Sequence, residues 1–167
     1  MNRHFKLLLS VTLPIFAVLL IGDLVSKSLI DAALPLGERA EFIPGFIDII
    51  TVHNSGAAWG MFDGARTMLI VFSFIFLAVL GWMMATERAK NPLFHVSMGF
   101  IVAGTIGNLI DRLFFGYVRD FLHFEFWPNF PVFNIADICL VVGIIMFVIY
   151  FIIAIVSGRK EKNAKEV

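Results

Sequence analysis

Four stretches of the chain, residues 7–30, 67–85, 93–115 and 133–156, are almost continuously apolar and each about as long as a bilayer is thick. A helix rises 1.5 Å per residue, so about 20 such residues cross a hydrocarbon core of roughly 30 Å. This pattern predicts an α-helical integral membrane protein, a single membrane domain over 1–167 with four transmembrane helices. Composition agrees: 59% of the 167 residues are hydrophobic and 16% are charged, against roughly 45–50% and about 25% in soluble domains. A chain this short cannot hide that much apolar surface in water. The first stretch follows Arg3 and Lys6 and resembles a secretory signal, but its apolar run is long and no A-x-A site follows. It reads as a retained span.

Thirteen Lys and Arg balance thirteen Asp and Glu, which argues against a nucleic-acid partner needing a bulk basic surface. The distribution matters more than the sum. Arg3, Lys6, Arg88, Lys90, Arg159, Lys160, Lys162 and Lys165 fall at one set of span ends; the outer segments 31–66 and 116–132 hold only Arg39, Arg66 and Arg119. Cytoplasmic loops carry the excess of Lys and Arg, so both termini are expected in the cytoplasm. The single cysteine, Cys139, lies among Ile138, Leu140 and Val141 and reads as a small buried hydrophobe. His4, His53, His95 and His123 show no HExxH or i, i+4 pairing, so neither a metal nor a cofactor is expected.

Segment 31–66 is too long for a simple turn. Within it, FIDIITV (Phe46 to Val52) is rich in β-branched residues and bounded by Pro44, Gly45 and Asn54, which predicts a strand and a small sheet on the outer leaflet. Phe121, Phe124, Phe126, Trp127 and Phe130 read as an aromatic interfacial belt.

Charged residues within spans are costly, which makes each a functional candidate. Asp23 and Lys27 stand at i, i+4 on one helical face, a self-neutralising pair suited to fixing the first span against its neighbours. In the third span Gly99, Ala103 and Gly107 form a row of small residues that admits another helix. Asn108, Asp111 and Arg112 follow, and the last two suit a local ion pair.

Asp120 follows the third span, Asp137 lies one turn into the fourth, and Asn134 shares its face. If the third and fourth spans are antiparallel neighbours, the two aspartates meet at the outer edge of the bilayer. Two carboxyls in a dry pocket share a proton, which makes one an acid and the other a base. That is the chemistry of aspartic proteolysis. The same carboxylates also suit a proton- or ion-coupled transporter, although no matching pair of broken half-helices is evident.

At this point five blocks carry a resemblance: DLVSK (Asp23 to Lys27), NSGAAWG (Asn54 to Gly60), GNLIDR (Gly107 to Arg112), VRDF (Val118 to Phe121) and FNIAD (Phe133 to Asp137). In this order, across four spans, they resemble the bacterial lipoprotein signal peptidases, or signal peptidase II. The resemblance implies an inner-membrane aspartic endopeptidase, active at the extracytoplasmic face. Such an enzyme cuts the signal peptide from diacylglyceryl-modified prolipoproteins just before the lipidated cysteine. Its partners would be those lipid-modified precursors and membrane lipids, and nothing requires more than a monomer. The resemblance assigns Asp120 and Asp137 to catalysis and Asn54, Gly56, Asn108, Arg112 and Asn134 to the pocket. Asp23, Lys27 and Asp111 become structural polar residues. It further implies an outer cradle of strands and a short helix in the other outer segment.

The small residues Gly56, Ala57, Ala58 and Gly60 would let a substrate backbone approach Asn54. The three asparagines suit either substrate contact or helix-to-helix hydrogen bonding, and Arg112 suits pairing with Asp111 or bracing an outer loop. Leu24, Arg119 and Ile138 depart from the usual pattern, where Gln, Val and Ser are common. Arg119 matters most: as a neighbouring cation it would favour ionised Asp120, unless it points outward to lipid headgroups.

Overall fold

The structure, a computed structural model, describes residues 3–56, 64–86 and 91–165, with side chains as far as Ser157. The first apolar stretch is one long helix, α1 (Arg3–Ala33). Its Leu8–Thr12 turn is π-helical and ends two residues before Pro14. Proline has no N–H to give and crowds the carbonyl four residues back, so the preceding turn widens. The buried residues of α1 are Thr12, Asp23 and Lys27, while Val18, Ile21 and Leu29 face outward. The helix is therefore polar inside and apolar outside, as a lipid solvent requires.

Two strands follow, β1 (Arg39–Ile43) and β2 (Ile47–Asn54), joined by a tight turn in which Gly45 has φ 72°. The FIDIITV stretch thus lies within a hairpin, and Arg39 pairs with Asp48 across it. The next helices are α2 (Arg66–Thr86) and α3 (Pro92–Phe114). Asn91 caps α3 by accepting from Leu93 N–H at 2.9 Å, with Pro92 in its first turn. At the other end the N–H groups of Phe115 and Gly116 both donate to the Asp111 carbonyl, and Gly116 takes the left-handed φ of 92° that ends helices.

β3 (Val118–Phe124) pairs antiparallel with β2, giving a three-stranded sheet in the order β1-β2-β3. The chain then turns back, and Phe133 makes an antiparallel bridge to Leu122 before α4 (Ile135–Lys165) begins. Segment 116–132 therefore holds a strand and turns, and the short outer helix implied by the resemblance does not form there. Pairing with β2 uses residues 118–124, and Pro128 and Pro131 interrupt what is left, which folds into the Phe124–Trp127 and Trp127–Phe130 turns.

α3 is the central helix, buried along most of its length, whereas Leu80 is the one buried residue of α2. Small residues decide how closely α1 and α4 approach it. A Cβ on Gly99 would meet Ile15 of α1 at 2.9 Å, and one on Gly107 would meet Asp23 Oδ2 at 2.5 Å and Ala136 of α4 at 3.2 Å. Gly104 and Gly143 do the same along the α3–α4 seam. Phe94, Met98 and Ile101 of α3 pack with Leu80, Leu140, Phe147 and Tyr150 in an apolar core away from the sheet. Cys139 is buried against this bundle. The four helices are long and apolar enough to cross a membrane.

Candidate active site

α4 starts on a reciprocal cap. Asn134 Oδ1 accepts from Asp137 N–H at 3.0 Å, and Asp137 Oδ2 accepts from Asn134 N–H at 3.0 Å. Such a box satisfies two orphan donors of the first turn, and here it also fixes the Asp137 side chain. The Phe133–Leu122 bridge pins this cap beside β3, so Asn134 Nδ2 reaches Asp120 Oδ1 at 2.6 Å. One asparagine thus touches both aspartates.

The remaining carboxylate oxygens have donors of their own. Asn54 Nδ2, from the end of β2, donates to Asp120 Oδ2 at 2.8 Å, and Asn108 Nδ2, from α3, donates to Asp137 Oδ1 at 2.8 Å. Asn108 Oδ1 accepts in turn from Asn134 Nδ2 and from Lys27 Nζ, each at 3.0 Å. All three asparagines are spent on holding the carboxylates and one another. Asp120 is 3% exposed, and burial, with the charge of Asp137 next, pushes its carboxyl up to about 7 against the opposing hydrogen bonds of Asn54 and Asn134. A proton is therefore retained in this pair near neutral pH.

Lys27 Nζ lies 2.8 Å from Asp23 and 3.3 Å from Asp111, so the i, i+4 pair is shared with a second carboxylate from α3. Asp23 Oδ1 also accepts from Ala136 N–H at 2.9 Å. This cluster ties α1, α3 and α4 together immediately behind the aspartates. Arg112 does not pair with Asp111; its Nη2 donates to the Gly56 carbonyl at 3.0 Å and braces the outer loop. Gly56 N–H donates to Asn54 Oδ1 at 3.0 Å, which aims the Asn54 amide at Asp120. Ala57, Ala58 and Gly60 lie outside the described residues.

Arg119 takes neither expected course. Successive side chains of a strand point to opposite faces, so Arg119 turns away from Asp120, and away from headgroups, into the protein. It is 6% exposed and grips Asp111 with Nη2 at 2.8 Å and Nε at 3.2 Å, while its backbone N–H donates to Asp111 Oδ2 at 3.0 Å. Asp31 lies 3.8 Å from it on α1. The sequence reading missed Arg119 and Asp31 as partners, although Asp31 stands one helical turn beyond Lys27.

Asp120, Asp137, Asn54, Asn108 and Arg112 face a cavity of about 770 Å³ whose other walls are apolar apart from the hydroxyl residues Ser73 and Thr105: Leu69, Phe72 and Phe76 of α2, Val141 and Ile144 of α4, and Phe124 and Phe130 at the outer rim. Its polar end can exchange protons and its apolar flank can hold hydrocarbon. Among the described residues no group of three or more His, Cys, Asp or Glu is arranged to hold a metal.

Comparison with known proteins places this geometry. Residues 15–153 match the family described as signal peptidase (SPase) II. A lipoprotein signal peptidase of Enterococcus faecalis is 39% identical over 150 residues, covering 89% of this chain and 92% of that protein. One from Staphylococcus aureus is 34% identical over 166 residues, covering 99% of this chain and all of that protein. Two solved bacterial membrane enzyme structures, each 33% identical, superpose with TM-scores of 0.81 and 0.78 over 86% and 85% of this chain, 88% and 92% of theirs. The transporter reading of the same carboxylates finds no support among these relatives. A four-helix membrane protein matched over most of its length by these peptidases, this chain belongs to the signal peptidase II family.

Proposed function

We propose that the chain cleaves the signal peptide from diacylglyceryl-modified prolipoproteins just before the lipidated cysteine, with Asp120 and Asp137 as the catalytic pair. The observation that carries this reading is the joining of both carboxylates through Asn134 at the polar end of an apolar-walled cavity. The ionised member of the pair takes a proton from water as the water oxygen bonds to the scissile carbonyl carbon. The protonated member gives its proton to the carbonyl oxygen, so a neutral diol forms. The first aspartate then passes its proton to the leaving nitrogen. As the C–N bond breaks, the diol returns a proton to the second, and the pair ends as it began.

The substrate sits with its acyl chains along Leu69, Phe72 and Ile144 and its scissile bond at the aspartates. Lys and Arg placement supports cytoplasmic termini in a bacterial inner membrane, with the sheet and the aspartates on the extracytoplasmic side. One copy supplies every residue in this scheme, so a monomer suffices. The test is processing of a lipidated precursor by purified protein. Asp120→Asn and Asp137→Asn are each expected to reduce turnover by at least about a thousandfold while leaving the melting profile cooperative. Wild-type turnover in either variant refutes the assignment.

A further inference from the structure

We propose that Arg119 is a positioning residue for the aspartate pair: by neutralising Asp111 from behind β3, it leaves Lys27 to hold Asn108, and through Asn108 the carboxylate of Asp137. The inference rests on the catalytic reading of Asp120 and Asp137. Arg119 itself contacts neither aspartate, because its side chain leaves the opposite face of β3.

The cluster behind the aspartates contains two carboxylates, Asp23 and Asp111, and two cations, Lys27 and Arg119. All are nearly or fully buried. Lys27 has three acceptors, at 2.8 Å on Asp23, 3.0 Å on Asn108 Oδ1 and 3.3 Å on Asp111. The longest of these is to Asp111, the carboxylate that Arg119 already satisfies with two side-chain contacts and one backbone N–H. Remove the guanidinium and Asp111 retains one buried cation, Lys27, which is also needed by Asp23. A buried unpaired charge is costly, so Lys27 shifts toward Asp111 and loosens from Asn108. Asn108 Oδ1 then keeps Asn134 Nδ2 but loses Lys27, one of the two contacts that orient its Nδ2 toward Asp137.

Charge balance yields a second consequence. Arg119 is surrounded by Asp111 on α3, by Asp31 and Ser28 on α1, by the Phe115 ring at 4.3 Å, and by its register partner His53 on β2, which lies 4.0 Å from Asp31. The aspartate pair has Lys27 and Arg112 as its nearby cations. Losing Arg119 removes one positive charge from behind the pair; neutralising Asp111 alone removes one negative charge. The two changes must move the pair's proton affinity in opposite directions.

The test is the pH profile of kcat for a lipidated precursor peptide, using the full chain in lipid. Arg119→Met is expected to cut kcat about tenfold with little change in KM, and to move the alkaline limb up by about one pH unit. Asp111→Asn is expected to move the limb down. In the double variant the Asn oxygen can still accept from the residue 119 N–H and Lys27, and its amide faces the site vacated by the guanidinium. That variant is expected to recover most of kcat and the original limb. Arg119→Lys keeps the charge and is expected to keep the limb while losing part of kcat. His53→Gln in both backgrounds removes that ring's protonation as a source of the shift.

A limb unmoved in Arg119→Met, shifts of the same sign in the two single variants, or a double variant no better than the worse single overturns the proposal. If Arg119→Met does not fold, the double variant and Arg119→Lys decide by the same criteria. Activity surviving in Asp120→Asn or Asp137→Asn defeats the catalytic reading itself. Inactive aspartate variants beside an unchanged Arg119→Met limb defeat only the role of Arg119.

Discussion

Asn134 holds the site at both ends, capping α4 with its oxygen while its amide reaches Asp120. Asp120 is held in the opposite direction by burial, which raises its carboxyl to about 7. In the proposed mechanism the pair needs one proton, so kcat/KM should fall as pH rises through about 7, with single-proton slope. A steady-state profile checks this; a plateau extending well above 7 contradicts it. Stability follows the same sign. The folded form binds this proton more tightly than the unfolded form, whose ordinary value is 3.8. The contribution of Asp120 is therefore complete below about 4 and lost as pH rises through about 7. Melting midpoints of wild type and Asp120→Asn should diverge with rising pH across that window. At this scale the sequence marks the polar groups that touch the two aspartates, because charged and amide residues in apolar runs stand out. It does not mark partnership: the adjacency of Asp111 and Arg112 suggests a local pair, while their side chains leave the helix at different angles and find Arg119 and Gly56.

The four helices are legible because a bilayer imposes length and apolarity directly, and β2 is legible from its β-branched run. β1 alternates polar and apolar only over Arg39, Ala40, Glu41 and Phe42, and with all five residues exposed that is too short a signal to read as a strand. β3 is hidden for another reason: VRDFLHF is covered along its first four residues, so polar and apolar positions do not alternate, and its aromatics mimic an interfacial belt. Helix contacts depend on where glycine permits approach. A Cβ at Gly107 would press on Asp23 and Ala136 at once, whereas one at Gly81 of α2 meets nothing within 4 Å. Gly107→Ala should therefore cost about 1–3 kcal/mol of stability, and Gly81→Ala should be neutral or stabilising by up to about 1 kcal/mol. Thermal or denaturant unfolding in micelles separates the two, and equal effects would contradict the close packing of α1 and α4 on α3.

For the whole molecule, orientation is the property on which access to the cavity depends. If the sheet lies outside, as proposed, cysteine introduced at Glu38 should react with an impermeant maleimide in intact spheroplasts, whereas cysteine at Asn163 should react only after permeabilisation. The buried Cys139 gives little background. The reverse pattern would invert the assigned topology. The inward polar face of α1 also sets an order of events during synthesis. Asp23 and Lys27 enter the bilayer with α1, long before the ribosome has made Asn108, Asp111 and Ala136, their later partners. Until then the two charges have each other, one turn apart, and that mutual neutralisation makes the helix tolerable to lipid while it waits. The cluster behind the aspartates is thus assembled last, from a component inserted first, and the insertion machinery receives a dipole instead of two naked ions.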